Sequence, residues 1–258
     1  MNKKYKLKWK TKRKENNMSK KYELTDETKG IGGITLHRIR ALRNIPRYGV
    51  KSGDLGGWIE AESNLSQDGD AWVSDDARVY GNAKVCGNAW VSDDARVYGN
   101  AWVCDDAKVY GDARVYGDAK VYDDARVYGN AVVYGNAVVC GDARVYGEAW
   151  VYGNAVVRGD ARVYGGAWVN GNAEVSGNAE VKSIRDYAVF KNGWSSGRWF
   201  TYTRSNRMWR VGCFHGTGEE LIAKAYKDSE LSGKCYEAIV RAVETIEAAQ
   251  AETKGDAK

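Results

Sequence analysis

Between residues 69 and 181, apolar and outward-type residues alternate, and the pattern restarts every six residues as Gly-(Asn/Asp)-Ala-x-Val-Tyr. Val falls at 73 and at every sixth position to 181, 19 times in all; Ala does the same from 71 to 179. Alternation with a period of two marks a strand with one buried face. Ala and Val therefore point inward, and x and Tyr point outward. The Gly-Asn or Asp-Asp pair turns the chain, because Gly, Asn and Asp tolerate positive φ and Asn and Asp bond nearby backbone. Six residues thus make one side and one corner, and so short a fixed period predicts a solenoid.

The flanks follow other periods. Residues 22–68 carry Ile34, Leu36, Ile39, Leu42, Val50, Trp58 and Ile59, enough apolar surface to close one end of the solenoid. Such an end exposes core and unpaired strand edges and needs a different unit on it. Residues 183–258 form a second unit, with strand-like runs at 187–190, 198–203 and 208–214 and turns at Asn192-Gly193 and Ser205-Asn206. Thr217 and Glu220 make a capping-box signature before Leu221. A second helix follows, with Tyr236, Ile239, Val240, Val243 and Ile246 on one face. The expected division is a basic disordered tail (1–21), an N-terminal cap (22–68), the repeat (69–182) and a small α+β domain (183–258).

The repeat resembles the hexapeptide-repeat family, in which an aliphatic residue is followed four positions later by a small one, as Val73 is by Ala77 and Val79 by Ala83. The resemblance implies an all-β solenoid, a left-handed parallel β-helix with three hexapeptides to each triangular coil. The repeats then make about six coils, and at roughly 4.8 Å between strands a prism about 30 Å long. Before the coils, Gly56-Gly57-Trp58-Ile59 and Asn64-Leu65-Ser66-Gln67 are similar to the lead-in of YdcK-like bacterial hexapeptide-repeat proteins, a likeness covering roughly residues 35–182. It implies only a loose transferase-like label. The aromatic strands, Gly-Cys-Phe-x-Gly-Thr and the acidic helix of the last unit resemble domains of phage and prophage proteins.

Charge changes this picture little. The net charge is +5, but residues 1–17 hold eight Lys/Arg and one Glu, so the rest of the chain is slightly acidic. A basic run of this kind is usually a solvated tail. Five Cys, an odd number, with no apolar stretch of signal or spanning length, point to a reducing bacterial cytoplasm and away from a membrane. The corner residue before Ala is Asp in nine repeats, and Lys or Arg follows two positions later in eight of them: Asp76–Arg78, Asp94–Arg96, Asp106–Lys108, Asp112–Arg114, Asp118–Lys120, Asp124–Arg126, Asp142–Arg144 and Asp160–Arg162. This reads as a self-neutralised surface, whereas a phosphate-binding face needs uncompensated cations.

The coil period sorts the outward residues into columns. Tyr80, Tyr98, Tyr116, Tyr134 and Tyr152 stack on one face, and Tyr110, Tyr128, Tyr146 and Tyr164 on another. Cys86, Cys104, Tyr122 and Cys140 make the third column; Trp72 lies over Trp90, and Trp150 over Trp168. Such ladders stiffen a sheet. They also offer aromatic surface to a protein, sugar or base. The candidate binding residues are Trp72, Trp90, Trp102, Trp150 and Trp168, the first tyrosine column, and Arg126, Arg144 and Arg162. Cys86 and Cys104 come within disulfide range, and thiols are expected in a reducing compartment.

Catalytic chemistry finds little support. Acyltransferases of the resembling family use a His base in or beside a coil, and a carbonic anhydrase of that fold needs three His for zinc. This chain has two, His37 and His215, neither in the repeat. Cys213 and His215 are a weak pair for a metal or nucleophile site, and no cofactor or metal is expected. The expected function is a non-catalytic scaffold from a phage or prophage that presents flat faces to a protein partner, with trimers a family habit. The alternatives are a nucleic-acid binder using the tail and the Trp/Arg columns, and an acyltransferase relative.

Overall fold

The computed structural model describes residues 20–255, with side chains through residue 250. The N-terminal unit is a hairpin of β1 (Tyr22–Ile31) and β2 (Ile34–Ala41), turned at Gly32 and Gly33 with φ of 53° and 85°, and β3 (Leu55–Ile59) pairs with β2. Nineteen two-residue strands follow, β4 to β22, from Trp72–Val73 to Glu180–Val181. They form three parallel sheets in which each strand pairs with its counterpart one coil on, as Val97 does with Val115. Face one runs through Arg78, Arg96, Arg114, Val132, Trp150 and Trp168. Face two runs through Lys84, Trp102, Lys120, Val138, Val156 and Glu174. Face three runs through Trp72, Trp90, Lys108, Arg126, Arg144, Arg162 and Glu180.

Every Ala and Val at the two inward positions of the repeat is buried, at 0–1 % exposure, in one continuous core. Two small apolar residues per side suit the interior of so narrow a prism. The backbone closes on itself between coils, with Arg96 N donating to Ala113 O at 2.9 Å and Tyr98 N to Val115 O at 3.0 Å. At the corners, Gly99 has a φ of +72°, and a Cβ there would sit 2.9 Å from Gly117 N. Four corners use Asp instead, at Asp75, Asp93, Asp105 and Asp123 with φ of 56° to 58°. The left-handed conformation costs these residues about 1–2 kcal/mol. Two of the carboxylates offset it by accepting from the next corner: Asp93 Oδ2 from Gly111 N at 2.8 Å, and Asp123 Oδ2 from Gly141 N at 3.0 Å.

The prism has about seven coils rather than six. Trp58 and Ile59 of β3 pair in parallel with Arg78 and Val79, and Leu65 bridges to Val85, so the lead-in supplies two sides of the first coil. The N-terminal end is then closed by donors. Asn64 Nδ2 bonds the carbonyls of Gly81 and Ala83, both at 2.9 Å, and Lys21 Nζ bonds Ala71 O at 2.7 Å. Lys21, expected in the tail, is fully buried; residues 1–19 lie outside the described residues. Leu36, Ile39 and Ile59 join the core of the cap, whereas Leu42 is exposed.

The C-terminal unit closes the other end. It is a meander of β23 (Tyr187–Lys191), β24 (Trp199–Thr203), β25 (Met208–Val211) and β26 (Phe214–Gly216), followed by α1 (Gly218–Asp228) and α2 (Glu230–Gly255). Hydroxyls meet the last coil's free N–H groups: Thr201 Oγ1 accepts from Glu174 N at 2.8 Å, and Ser205 Oγ from Glu180 N at 2.7 Å. A separate core of Phe200, Tyr202, Trp209, Leu221, Tyr236 and Val240 holds the unit together. The single strand expected over 208–214 is two, because Gly212 (φ 58°) and Cys213 make a tight turn. The Thr217–Glu220 capping box forms, and on α2 only Ile246 leaves the packed face, at 53 % exposure. Among the described residues no helix is long and apolar enough to cross a membrane.

Candidate binding surface

The columns stack as the period requires, but the tyrosines spend their ring faces on one another. On face one, Tyr80, Tyr98, Tyr116, Tyr134 and Tyr152 lie ring over ring, with centroids 4.8–5.0 Å apart and planes within 2–8°. Tyr110, Tyr128, Tyr146 and Tyr164 do the same on face three at 4.9–5.2 Å. A partner meets only ring edges and a row of hydroxyls, so these columns offer no flat surface for a base or sugar to stack on. Partial burial raises the pKa of Tyr80, Tyr98 and Tyr116 above the ordinary phenol value, so the hydroxyls stay protonated at neutral pH.

The structure divides the candidate tryptophans. Trp72 is 1 % exposed beneath the N-terminal cap. Trp90 is covered by Tyr48, stacked at 5.6 Å, and its Nε1 donates to Ser74 Oγ at 3.1 Å. These two are structural, a role hidden from the sequence because the cap's fold over face three is not periodic. Trp102 is open but alone on face two, with Lys84 Nζ 5.5 Å from its ring. Trp150 and Trp168 sit together at the C-terminal end of face one, 38 % and 51 % exposed, tilted by 32° with centroids 6.0 Å apart.

The second unit extends that patch. Tyr187 Oη donates to Trp168 O at 2.9 Å, and Asn170 Nδ2 donates to Tyr152 Oη at 2.8 Å. Both residues line a shallow groove of about 320 Å³ whose far wall holds Ile184, Val189 and Trp199. Ile184 and Trp199 are themselves exposed. The sequence reading missed these two because they lie outside the repeat; an apolar Ile beside the last coil was the available signal.

The arginines form a ladder on face three, Lys108, Arg126, Arg144 and Arg162, on adjacent strands. Arg162 pairs with Glu180 at 3.2 Å; Arg126 and Arg144 have no ion pair among the described residues. None of the eight expected Asp–Lys/Arg pairs closes to contact. Residues two apart on an extended chain diverge by roughly 6–7 Å. The corner aspartates near the first coils instead bond the cap, Asp76 to Lys29, Asp70 to Arg43 and Asp106 to Arg47.

Two further expectations change. Cys86 and Cys104, with Cα atoms 4.6 Å apart, are joined in a disulfide and are not thiols. Register alone accounts for it: residues one coil apart sit directly over each other. Below them, a bond between Tyr122 and Cys140 pushes the tyrosine up to about 12. The Cys213–His215 pair does not converge. Cys213 sits in the exposed β25–β26 turn, while His215 packs over Gly177 at the last corner. His37 is in the opposite cap, its Nδ1 3.3 Å from Thr25 O. Among the described residues no group of three or more His, Cys, Asp or Glu is arranged to hold a metal ion.

A stack of parallel two-residue strands in constant register leaves one reading of residues 69–181. The coils are β-solenoid repeats. A family model described as YdcK Beta solenoid repeat matches residues 89–105, 119–135, 125–141 and 139–153, so the chain is similar to that family over its central coils. No curated protein matches the chain.

Proposed function

We propose that this protein is a non-catalytic β-solenoid scaffold of the hexapeptide-repeat kind that docks a protein partner on the tryptophan end of face one. The observation that carries this is the exposed pair Trp150 and Trp168, next to a groove that holds exposed Ile184 and Trp199 and is lined by Tyr187, which bonds Trp168 O. Clustered exposed aromatics on a rigid frame are the usual chemistry of an interface centre. The two His lie in opposite end units and neither faces a coil insertion, which supports a non-catalytic reading. In the phage setting that the C-terminal resemblance implies, the partner is a host component or a virion part. The test is affinity capture from bacterial lysate on wild-type protein and on a Trp150→Ser/Trp168→Ser variant. A protein retained by the first and lost from the second supports the proposal; equal retention refutes it.

One observation favours a nucleic acid instead. Arg126 and Arg144 stand unpaired on adjacent strands, and cations in a row attract phosphates. Against this, the corner acids Asp124 and Asp142 precede them by two residues on the same face. Binding to DNA or RNA that weakens steeply with salt and is lost in Arg126→Glu/Arg144→Glu would favour that reading.

A further inference from the structure

We propose that the C-terminal unit binds a small organic anion with an apolar body in the cavity between its sheet and its two helices. The cavity measures about 310 Å³ and is walled by the loop at 192–198, the β25–β26 turn and both helices. That volume lies at the small end of ligand pockets, which run from about 300 to 1,000 Å³. Its inner wall is apolar, from Val211, Phe214 and Leu221, and two cations, Arg198 and Lys224, stand at its edge.

Neither cation has an ion pair among the described residues, although thirteen such pairs form elsewhere. Asp228 also lines the cavity, so the three charges leave a net of one positive. The polar wall is held in place. Asn192, 2 % exposed, donates from Nδ2 to Tyr236 Oη at 3.0 Å, and Asn192 Oδ1 accepts from Ser195 N at 2.9 Å. Arg198 O accepts from Asn192 N at 2.8 Å and closes the loop. Tyr236 Oη thus acts as an acceptor, and its own proton has no acceptor among the described residues. Arg198 and Asp228 line the cavity together with Tyr236, whose pKa is raised by burial and by Asp228 and lowered by Arg198. A free hydroxyl donor, a guanidinium and an ammonium beside an apolar wall suit one carboxylate-type head and one aryl or short alkyl body.

Cys213 provides the readout, because its exposed thiol lines the same cavity, while Cys235 does not. The full chain is alkylated with iodoacetamide in the presence of 3-phenylpropionate or the uncharged 3-phenylpropanol, and each cysteine is quantified by peptide mass spectrometry. The acid is expected to slow labelling of Cys213 by about threefold or more at saturation, with Cys235 unchanged. Loss of one charged hydrogen bond in Arg198→Gln should raise the acid concentration needed about tenfold. Arg198 is exposed, so circular dichroism should show that variant folded. No protection of Cys213, equal protection by the alcohol, or an Arg198→Gln response equal to wild type would each overturn the proposal.

Discussion

On face one, the five tyrosines from Tyr80 to Tyr152 and the pair Trp150–Trp168 occupy neighbouring columns and use their rings in opposite ways. The tyrosines lie within 8° of parallel, each ring covering the next. Trp150 stands at 84° to Tyr134, and tilts by 32° from Trp168, so indole faces stay open. Unbroken repetition closes a surface onto itself and turns aromatic area into stiffness. Where the repeat departs from itself, as Arg gives way to Val132 and then to Trp, the surface becomes available to something else. The same contrast separates the coils, held by one repeated contact, from the end units, held by single contacts such as Lys21 on Ala71.

The sharpest way to break the regular region is to charge its core. Val133→Asp, in a position with 0 % exposure, should cost more than about 4 kcal/mol and unfold the chain, read by urea denaturation followed by circular dichroism. Next come the corners. Gly99→Val combines a φ of +72° with a backbone nitrogen 2.9 Å from the new Cβ and should cost about 3 kcal/mol. Gly171→Ala has a φ of +64° and open space above it, and should cost only about 1 kcal/mol. That pair separates conformational strain from contact with the next coil.

The N-terminal end unit should respond to pH through Lys21 before the tyrosines of the coils do. Burial lowers Lys21 from 10.5 to about 8. Below pH 8 both folded and unfolded chains hold the proton, and the burial cost is fully present. Between 8 and 10.5 the folded chain releases it first, so stability rises with pH by the linkage rule. The gain should approach about 2 kcal/mol by pH 9.5, before unfolded tyrosines ionise and reverse the trend. Lys21→Met should abolish the rise, read by denaturation midpoints at pH 7.5 and 9.5. Smaller again, Tyr116→Ala removes two stacked neighbours and should cost about 1–2 kcal/mol. Trp150→Ser/Trp168→Ser should change stability by only about 0.5 kcal/mol, because both side chains are exposed.

Much of this was legible in the residues, because a six-residue rhythm fixes which side chains point in and which share a column. Stacks such as Tyr98 over Tyr116 and Trp150 over Trp168 follow from register alone. Ring orientation does not, since a column specifies adjacency and not the plane of the ring; the columns alone therefore fit both a stiffening ladder and an open aromatic face. The seventh coil escaped because Ile59 pairs with Val79 and Leu65 with Val85, two residues more than the coil period. Trp72 and Trp90 read as surface because the cap that covers them, through Tyr48 and its neighbours, obeys no period. Ile184 and Trp199 belong to a unit whose placement depends on a few bonds from backbone N–H groups of the last coil to the hydroxyls of Thr201 and Ser205, which no pattern announces.

The central claim is that recognition resides where the ladder breaks. Its most direct test is quantitative capture from bacterial lysate on three immobilised baits: wild type, Tyr98→Ala and Trp150→Ser/Trp168→Ser. The account expects one protein enriched on wild type, retained by Tyr98→Ala and lost from the tryptophan variant. Equal capture by the tryptophan variant, or loss on removing the tyrosine alone, would contradict it.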